Sequence, residues 1–216
     1  FARAVRVINK HETPEFLARA GVPRAKIVHI PAFYIDLKTF RPLEITKEYD
    51  LIFVGRLVAN KGVDLFLDVV RVSGASAVLV GDGPLLGYVR GRVKQEHLRV
   101  KVFGPAKDAS VIAELMNASR LLAMTSLNEG GPRVVLEALA CGVPVMATPV
   151  GIVRDVVPAE SIGNWNAKDM SDRMKNILSD PNLYERLRSQ GLQIVQSFER
   201  SKAIAAYANA LKNFIP

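Results

Sequence analysis

Two carboxylates bracketing a Gly-Gly-Pro turn, in the segment Asn128 to Val145 (NEGGPRVVLEALACGVPV), are the residues best suited to chemistry. Glu129 precedes the turn and Glu137 lies in the apolar stretch after it. Pro132, with its fixed φ and missing amide hydrogen, suits a first helical position, and Gly142 a helix end. The spacing therefore predicts a helix from about Pro132 to Cys141. Val134, Val135, Leu136, Ala138, Leu139 and Ala140 put apolar side chains on nearly every face, the pattern of a helix buried inside a domain. A carboxylate there is costly to bury unless donors meet it, and the vicinal hydroxyls of a ribose are such donors. The free amides of Arg133 and Val134, with the positive end of the helix dipole, suit an anion such as a diphosphate. Gly130 and Gly131 let a ligand approach the backbone. The segment reads as a phosphate cradle with a sugar and ribose clamp. The plainer alternative is that Glu137 pairs with Arg133 one turn earlier, although a cation preceding the anion is the weaker orientation.

Two further constellations follow apolar runs. In FVGRLVANKG, Phe53 to Gly62, Gly55 and Arg56 come directly after a strand. Lys61 falls at the start of the next helix, where a cation is unfavourable unless an anion neutralises it. A bound diphosphate supplies that anion; otherwise Asn60 caps the helix and Lys61 reaches solvent. In LVGDGPLLG, Leu79 to Gly87, the turn at Gly81 departs from G-x-G-x-x-G spacing and follows the second strand rather than the first, so it reads as a turn near the ligand.

The elements that must position these residues are strands near Leu51 to Val54, Ala77 to Val80, Val100 to Phe103, Leu121 to Met124 and Val143 to Ala147, alternating with helical stretches. Near-continuous apolar strands joined by long crossovers predict an α/β fold, a Rossmann-like doubly wound parallel sheet with helices on both faces. Ligands bind such sheets at the carboxyl ends of the strands. After Asn166 the pattern is helical, near Lys168 to Leu178, Pro181 to Phe198 and Ser201 to Phe214. Residues 1–42 read as a strand at Val5 to Ile8, a helix at Thr13 to Ala20, a strand at Lys26 to Ile30, and a connector bounded by Pro31 and Pro42. This is the expected tail of an N-terminal domain plus a linker, before a nucleotide-binding domain at 43–198 and a C-terminal helix at 199–216 that packs back towards the first domain. The start at Phe1 rather than methionine fits the expectation of a piece of a longer protein.

The 216 residues, 49% hydrophobic and 23% charged, suffice for one large core. A lone cysteine, Cys141, excludes an internal disulfide framework and a cysteine-rich metal site. No apolar run has membrane-spanning length and the first residues do not resemble a secretory signal, so a cytoplasmic location is expected. A net charge of +8 predicts attraction to anions. The densest basic stretch, with Arg90, Arg92, Lys94, Arg99 and Lys101, suits either an acidic membrane surface or a solvated helix end. Aromatic and basic residues do not interleave, so no nucleic-acid partner is expected. There is no Asp-x-Asp, and His11, His29 and His97 are isolated, so no metal is expected.

The ordered series IPAFYIDLKTFRP, FVGRLVANKG, LVGDGPL, VFGPAKD and TSLNEGGPRVVLEALACGVPVMATPVG resembles the C-terminal, donor-binding half of a glycosyltransferase family 4 enzyme of the GT-B type, over nearly the whole chain. The resemblance implies a retaining transfer of a hexose from a nucleotide sugar such as a UDP-, GDP- or ADP-hexose to a glycan, lipid or small-molecule acceptor, with no metal or further cofactor. It implies that Glu129 meets the donor sugar, Glu137 the ribose, and Arg56 with Lys61 the diphosphate. Gly55 and Gly81 would flank the nucleotide, and backbone at Phe103, Gly104, Pro105 and Ala106 would meet the base. The departures are Ala32, Phe33 and Tyr34 in place of an Asn-Gly-Val run, Pro132 where a glycine is frequent, and Ile152 in place of a second glycine. The acceptor site would belong to residues outside this chain. Two other classes fit less well: a non-catalytic nucleotide-sugar module completing a site with a partner chain, and a nicotinamide-dependent oxidoreductase, which the poor fingerprint opposes.

Overall fold

In a computed structural model, which describes residues 3–30 and 33–212, the apolar runs form a five-stranded sheet. Its strands are β3 (Tyr49–Val54), β4 (Ala77–Val80), β5 (Val100–Gly104), β6 (Ser119–Met124) and β7 (Val145–Ala147), preceded in the chain by β1 (Val5–Val7) and β2 (Ile27–His29). All neighbouring pairs are parallel, in the order β5-β4-β3-β6-β7. The chain winds outward from β3 to β5, then returns to place β6 on the other side of β3. The order therefore reverses between β3 and β6, and the ends of those strands form the crevice where a doubly wound sheet takes ligands.

Alternate residues of each strand feed two cores, as the two-residue period requires. Leu51, Phe53, Leu79 and Leu121 pack against α2 (Val63–Ser73) and α7 (Ala167–Ser179), whose Phe66, Leu67, Met170 and Met174 are buried with them. Ile52, Val78, Leu122 and Met124 pack instead against α5 (Arg133–Ala140), through Val135, Leu136 and Leu139. The remaining helices are α1 (Glu12–Arg19), α3 (Leu86–Gln95), α4 (Ala109–Asn117), α6 (Val153–Val156), α8 (Pro181–Val195) and α9 (Arg200–Lys212). Several starts are set by local chemistry: Asp108, Asn166 and Asp180 each accept hydrogen bonds from two amides of the helix they precede.

Most boundaries shift by a residue or two from the sequence expectation, and three of the shifts have a visible local cause or consequence. Pro132 adopts ψ of 100° and stands just outside α5, which begins at Arg133. Gly142, at φ +68°, turns the chain so that the Val143 amide donates to Ala138 O at 2.9 Å; Val143 thus closes the helix, and β7 starts at Val145. Helix α8 ends at Val195, in a 3-10 turn over Gln196–Phe198. The positions of Phe1, Pro31, Ala32 and Phe214 lie outside the described residues.

Strands β1 and β2 pair in parallel as a separate two-stranded sheet, joined through α1. This piece is fastened to the larger domain. The Gly151 amide donates to Glu12 Oε2 at 2.9 Å, the Lys10 amide donates to Asp155 Oδ2 at 3.0 Å, and His11 Nε2 lies 3.3 Å from Asp155 Oδ1. The connector is packed as well: the Ile35 amide donates to Phe198 O at 2.8 Å, and Ile35 and Phe40 are buried in the α5-side core.

Candidate functional site

The loops leaving β3 and β6 are laced together at the switch point. After Gly55 and Arg56, residues Ala59–Lys61 make a 3-10 turn, and Gly62 at φ +63° leads into α2. A Cβ on Gly62 would sit 1.9 Å from Thr125 O, so only glycine lets the turn abut the end of β6. Thr125 Oγ1 donates to Gly62 O at 2.9 Å, Leu127 N donates to Asn60 O at 2.8 Å, and Asn60 Nδ2 donates to Asn128 O at 2.9 Å. Asn60 is therefore a tie between loops and does not cap α2, which has no side-chain cap.

Glu129 is gripped from both sides. Its Oε1 accepts hydrogen bonds from Lys61 Nζ and, at 2.9 Å, from Ser126 Oγ. Lys61 thus turns onto a carboxylate rather than into solvent. Oε2 of Glu129 has no hydrogen-bond partner among the described residues, which leaves one oxygen of a fixed carboxylate open to a hydroxyl donor. Ser126 is buried, and its carbonyl accepts from Thr148 Oγ1 at 2.6 Å and from Trp165 Nε1 at 3.1 Å. Sequence reasoning missed Ser126, Thr148 and Trp165. The S-x-x-E spacing was a local signal for Ser126, but nothing local links Trp165 to this loop. Arg56 is exposed, and its side chain has no ion pair or hydrogen bond among the described residues.

Helix α5 presents the second half of the site. No side chain caps its start, so the amides of Arg133 and Val134 take no side-chain acceptor. The Arg133 guanidinium lies 5.9 Å from the centre of the Tyr34 ring, and Arg200 lies 5.5 Å from the same centre. Glu137 is half-buried and makes no ion pair with Arg133 or any other described residue. Burial pushes its carboxyl above the usual range, and the Arg133 charge opposes the shift without reversing it.

The glycines of the turn also make room for neighbouring side chains. A Cβ on Gly131 would fall 1.7 Å from a Phe33 ring carbon, and one on Gly130 would come within 3.2 Å of Ile8 Cδ1. On the Cβ side, the two glycines thus admit side chains of the N-terminal segment and connector. Ile8 and Phe33 also line a cavity of about 410 Å³ between that segment, Ile152 and α9, beside the switch point rather than in it.

Gly55, Gly81 and Gly104 form a row across the ends of β3, β4 and β5. The Gly81 amide donates to Gly104 O at 2.8 Å, and a Cβ on Gly81 would lie 1.9 Å from Gly55 O. Phe103 and Pro105, both exposed, stand at the outer end of this row. In the basic stretch, Arg92 is occupied by Asp68 at 2.9 Å and Glu96 at 2.6 Å, and Arg99 reaches Gly74 O at 3.4 Å, so only part of that charge is free for a partner. Among the described residues no group of three or more His, Cys, Asp or Glu is placed to hold a metal ion, and no helix is long and apolar enough to cross a membrane.

A family model described as "Glycosyl transferases group 1" matches residues 36–193, which include both loops and α5. The chain belongs to this family. This group 1 glycosyltransferase chain is 30% identical over 206 residues to the D-inositol 3-phosphate glycosyltransferase of Jonesia denitrificans, covering 79% of this chain and 48% of that protein. It is 26% identical over 227 residues to the N,N'-diacetylbacillosaminyl-diphospho-undecaprenol alpha-1,3-N-acetylgalactosaminyltransferase of Campylobacter jejuni, covering 92% of this chain and 58% of that one. The chain thus spans about half the length of the curated relatives it matches. Among solved structures, Anabaena HepE in complex with UDP and glucose superposes with a TM-score of 0.81 at 19% identity, covering 99% of this chain and 63% of HepE. Sucrose-phosphate synthase from Thermosynechococcus elongatus gives 0.81 at 25% identity, with 99% and 59% covered. The fold is the Rossmann-like domain of GT-B glycosyltransferases.

Proposed function

We propose that this chain is the donor-binding part of a retaining hexosyltransferase of family 4, taking its sugar from a nucleoside diphosphate. The observation that carries the reading is the pair of carboxylates at the switch point: Glu129 held through Oε1 with Oε2 open, and Glu137 half-buried without a partner. A lone carboxylate kept in so costly a place suits ribose hydroxyls, which supply the missing donors. Glu129 accepts from a sugar hydroxyl. Arg56 and Lys61, beside the amides at the start of α5, receive the diphosphate; Lys61 is then shared between Glu129 and phosphate oxygen. As the bond from the anomeric carbon to the phosphate oxygen breaks, charge develops on the leaving diphosphate, and these fixed cations stabilise it in place of a metal. Backbone from Phe103 to Ala106 lies beside the base. Relatives named as glycosyltransferases and a fold neighbour in complex with UDP and glucose support the reading.

Retention and the absence of a metal are part of the same proposal and rest on the resemblance to family 4; a cytoplasmic setting is proposed with them. The acceptor, whether glycan, lipid or small molecule, is bound mainly by residues outside 43–198, so this chain alone binds donor without efficient transfer. Arg90 and Lys94 offer a peripheral contact for an acidic membrane surface. The test is calorimetric titration with UDP, GDP and ADP sugars, their free diphosphates and NAD. The expected result is saturable binding of one nucleotide sugar, weakened about tenfold by Glu137→Ala. Binding of NAD in preference to every nucleotide sugar overturns the reading.

A further inference from the structure

The open Oε2 of Glu129 is useful only if the carboxylate cannot swing away, and the loop after β6 is built to prevent that. Ser126 Oγ and Lys61 Nζ both donate to Oε1, one from each side of the switch point. Lys61 has a flexible stem, and under the reading above it is drawn towards the diphosphate when donor binds. The serine does not have that freedom. Ser126 is 3% exposed, its carbonyl accepts from Thr148 at 2.6 Å and from the Trp165 indole at 3.1 Å, and the Thr148 amide in turn donates to Met124 O at 2.9 Å. Trp165 itself is half-exposed, at 49%, so its ring is not simply core. Its hydrogen bond is to the carbonyl of the same residue whose hydroxyl holds Glu129.

We propose that Ser126 is a positioning residue for recognition of the donor sugar, and that Trp165 acts through it. The Ser126 hydroxyl holds the Glu129 carboxylate in one orientation while Lys61 is shared with phosphate, and Trp165 with Thr148 fixes the Ser126 backbone from behind. The inference rests on the proposal that Glu129 meets the sugar. It adds that discrimination between a nucleotide sugar and its free diphosphate depends on residues touching neither ligand. Because Trp165 is the single tryptophan, its emission reports on this loop directly.

The test compares the affinity of a nucleotide sugar with that of its free nucleoside diphosphate, by calorimetry in the wild type, Glu129→Ala, Ser126→Ala and Trp165→Phe, and by Trp165 emission in the three that keep the tryptophan. UDP-glucose with UDP, and the GDP and ADP pairs, are the probes. A hydrogen bond to a charged group sets the scale: Ser126→Ala is expected to lose about tenfold in affinity for the sugar form, with the diphosphate affinity unchanged. Trp165→Phe keeps the ring at an exposed position and removes only the indole donor, so it retains the fold and loses about two- to fivefold, again in the sugar form alone. The wild type is expected to change emission more with the sugar form than with the diphosphate. Equal losses for sugar form and diphosphate, or no loss, in both Ser126→Ala and Trp165→Phe while Glu129→Ala still discriminates, overturn the inference and leave the function standing. A Glu129→Ala variant that loses no discrimination overturns the sugar contact itself, and the inference with it.

Discussion

Replacing Glu137 by glutamine tests whether this carboxylate is kept at the expense of stability. Glu137 is half-buried on α5, its carboxylate makes no hydrogen bond or ion pair with the described residues, and burial raises its carboxyl against a smaller opposing effect of Arg133. Leaving such a polar group without a partner costs about 1–3 kcal/mol, of which Arg133 and residual solvent recover part. Glu137→Gln keeps the shape and removes the charge, so without ligand near neutral pH it is expected to be more stable by about 1 kcal/mol, or about 2–4 °C in Tm for a chain of this size. The pH dependence has a definite sign. The folded carboxyl binds its proton more tightly than the unfolded one, whose ordinary value is 4.5. The contribution of Glu137 is therefore full below that value and lost as pH rises through the raised folded value. The advantage of the variant is absent in acid and grows towards neutrality. A nucleoside diphosphate at about a hundred times its Kd stabilises the wild type by about 2.7 kcal/mol. The variant, having lost a charged acceptor for ribose hydroxyls, gains less, and the order of melting reverses. Thermal denaturation across pH, with and without the diphosphate, is the assay. A variant that melts below the wild type in the absence of ligand refutes the reasoning, because Glu137 would then have a stabilising partner.

Two further outcomes follow from the packing. Gly62→Ala combines a left-handed backbone with a Cβ 1.9 Å from Thr125 O, so urea denaturation is expected to show a loss of about 2–5 kcal/mol; a loss below about 1 kcal/mol would mean that the loops after β3 and β6 separate freely. Cys141 is buried and its thiol is pushed up to about 12, so a thiol reagent at about pH 8 is expected to leave the native protein unlabelled and to react fully after denaturation. Rapid labelling of the native state would show that α5 opens readily.

Much of the architecture is local and therefore written along the chain. Strand β4 occupies Ala77–Val80 as expected from its unbroken apolar run, because a strand buried on both faces has no other composition available. The helices after Asn166 fall close to their expected positions because Asn166 and Asp180 cap them and Pro181 stands in the first turn of α8. Glu137 stood out for the same reason: one carboxylate in an apolar helix is visible without coordinates. The partnerships of the site are not local. Lys61 meets Glu129 across 68 residues because β6 lies beside β3, and strand order depends on how the whole set of apolar faces is buried, which no short window records. Phe33 over Gly131 and Trp165 over Ser126 join segments 98 and 39 positions apart in the same way. The sequence by itself determined the elements, their caps and the charged residues available to a ligand, since backbone period and side-chain chemistry act over a few residues. Tertiary structure alone decided which of those residues touch, since contact across strands is a property of the sheet order.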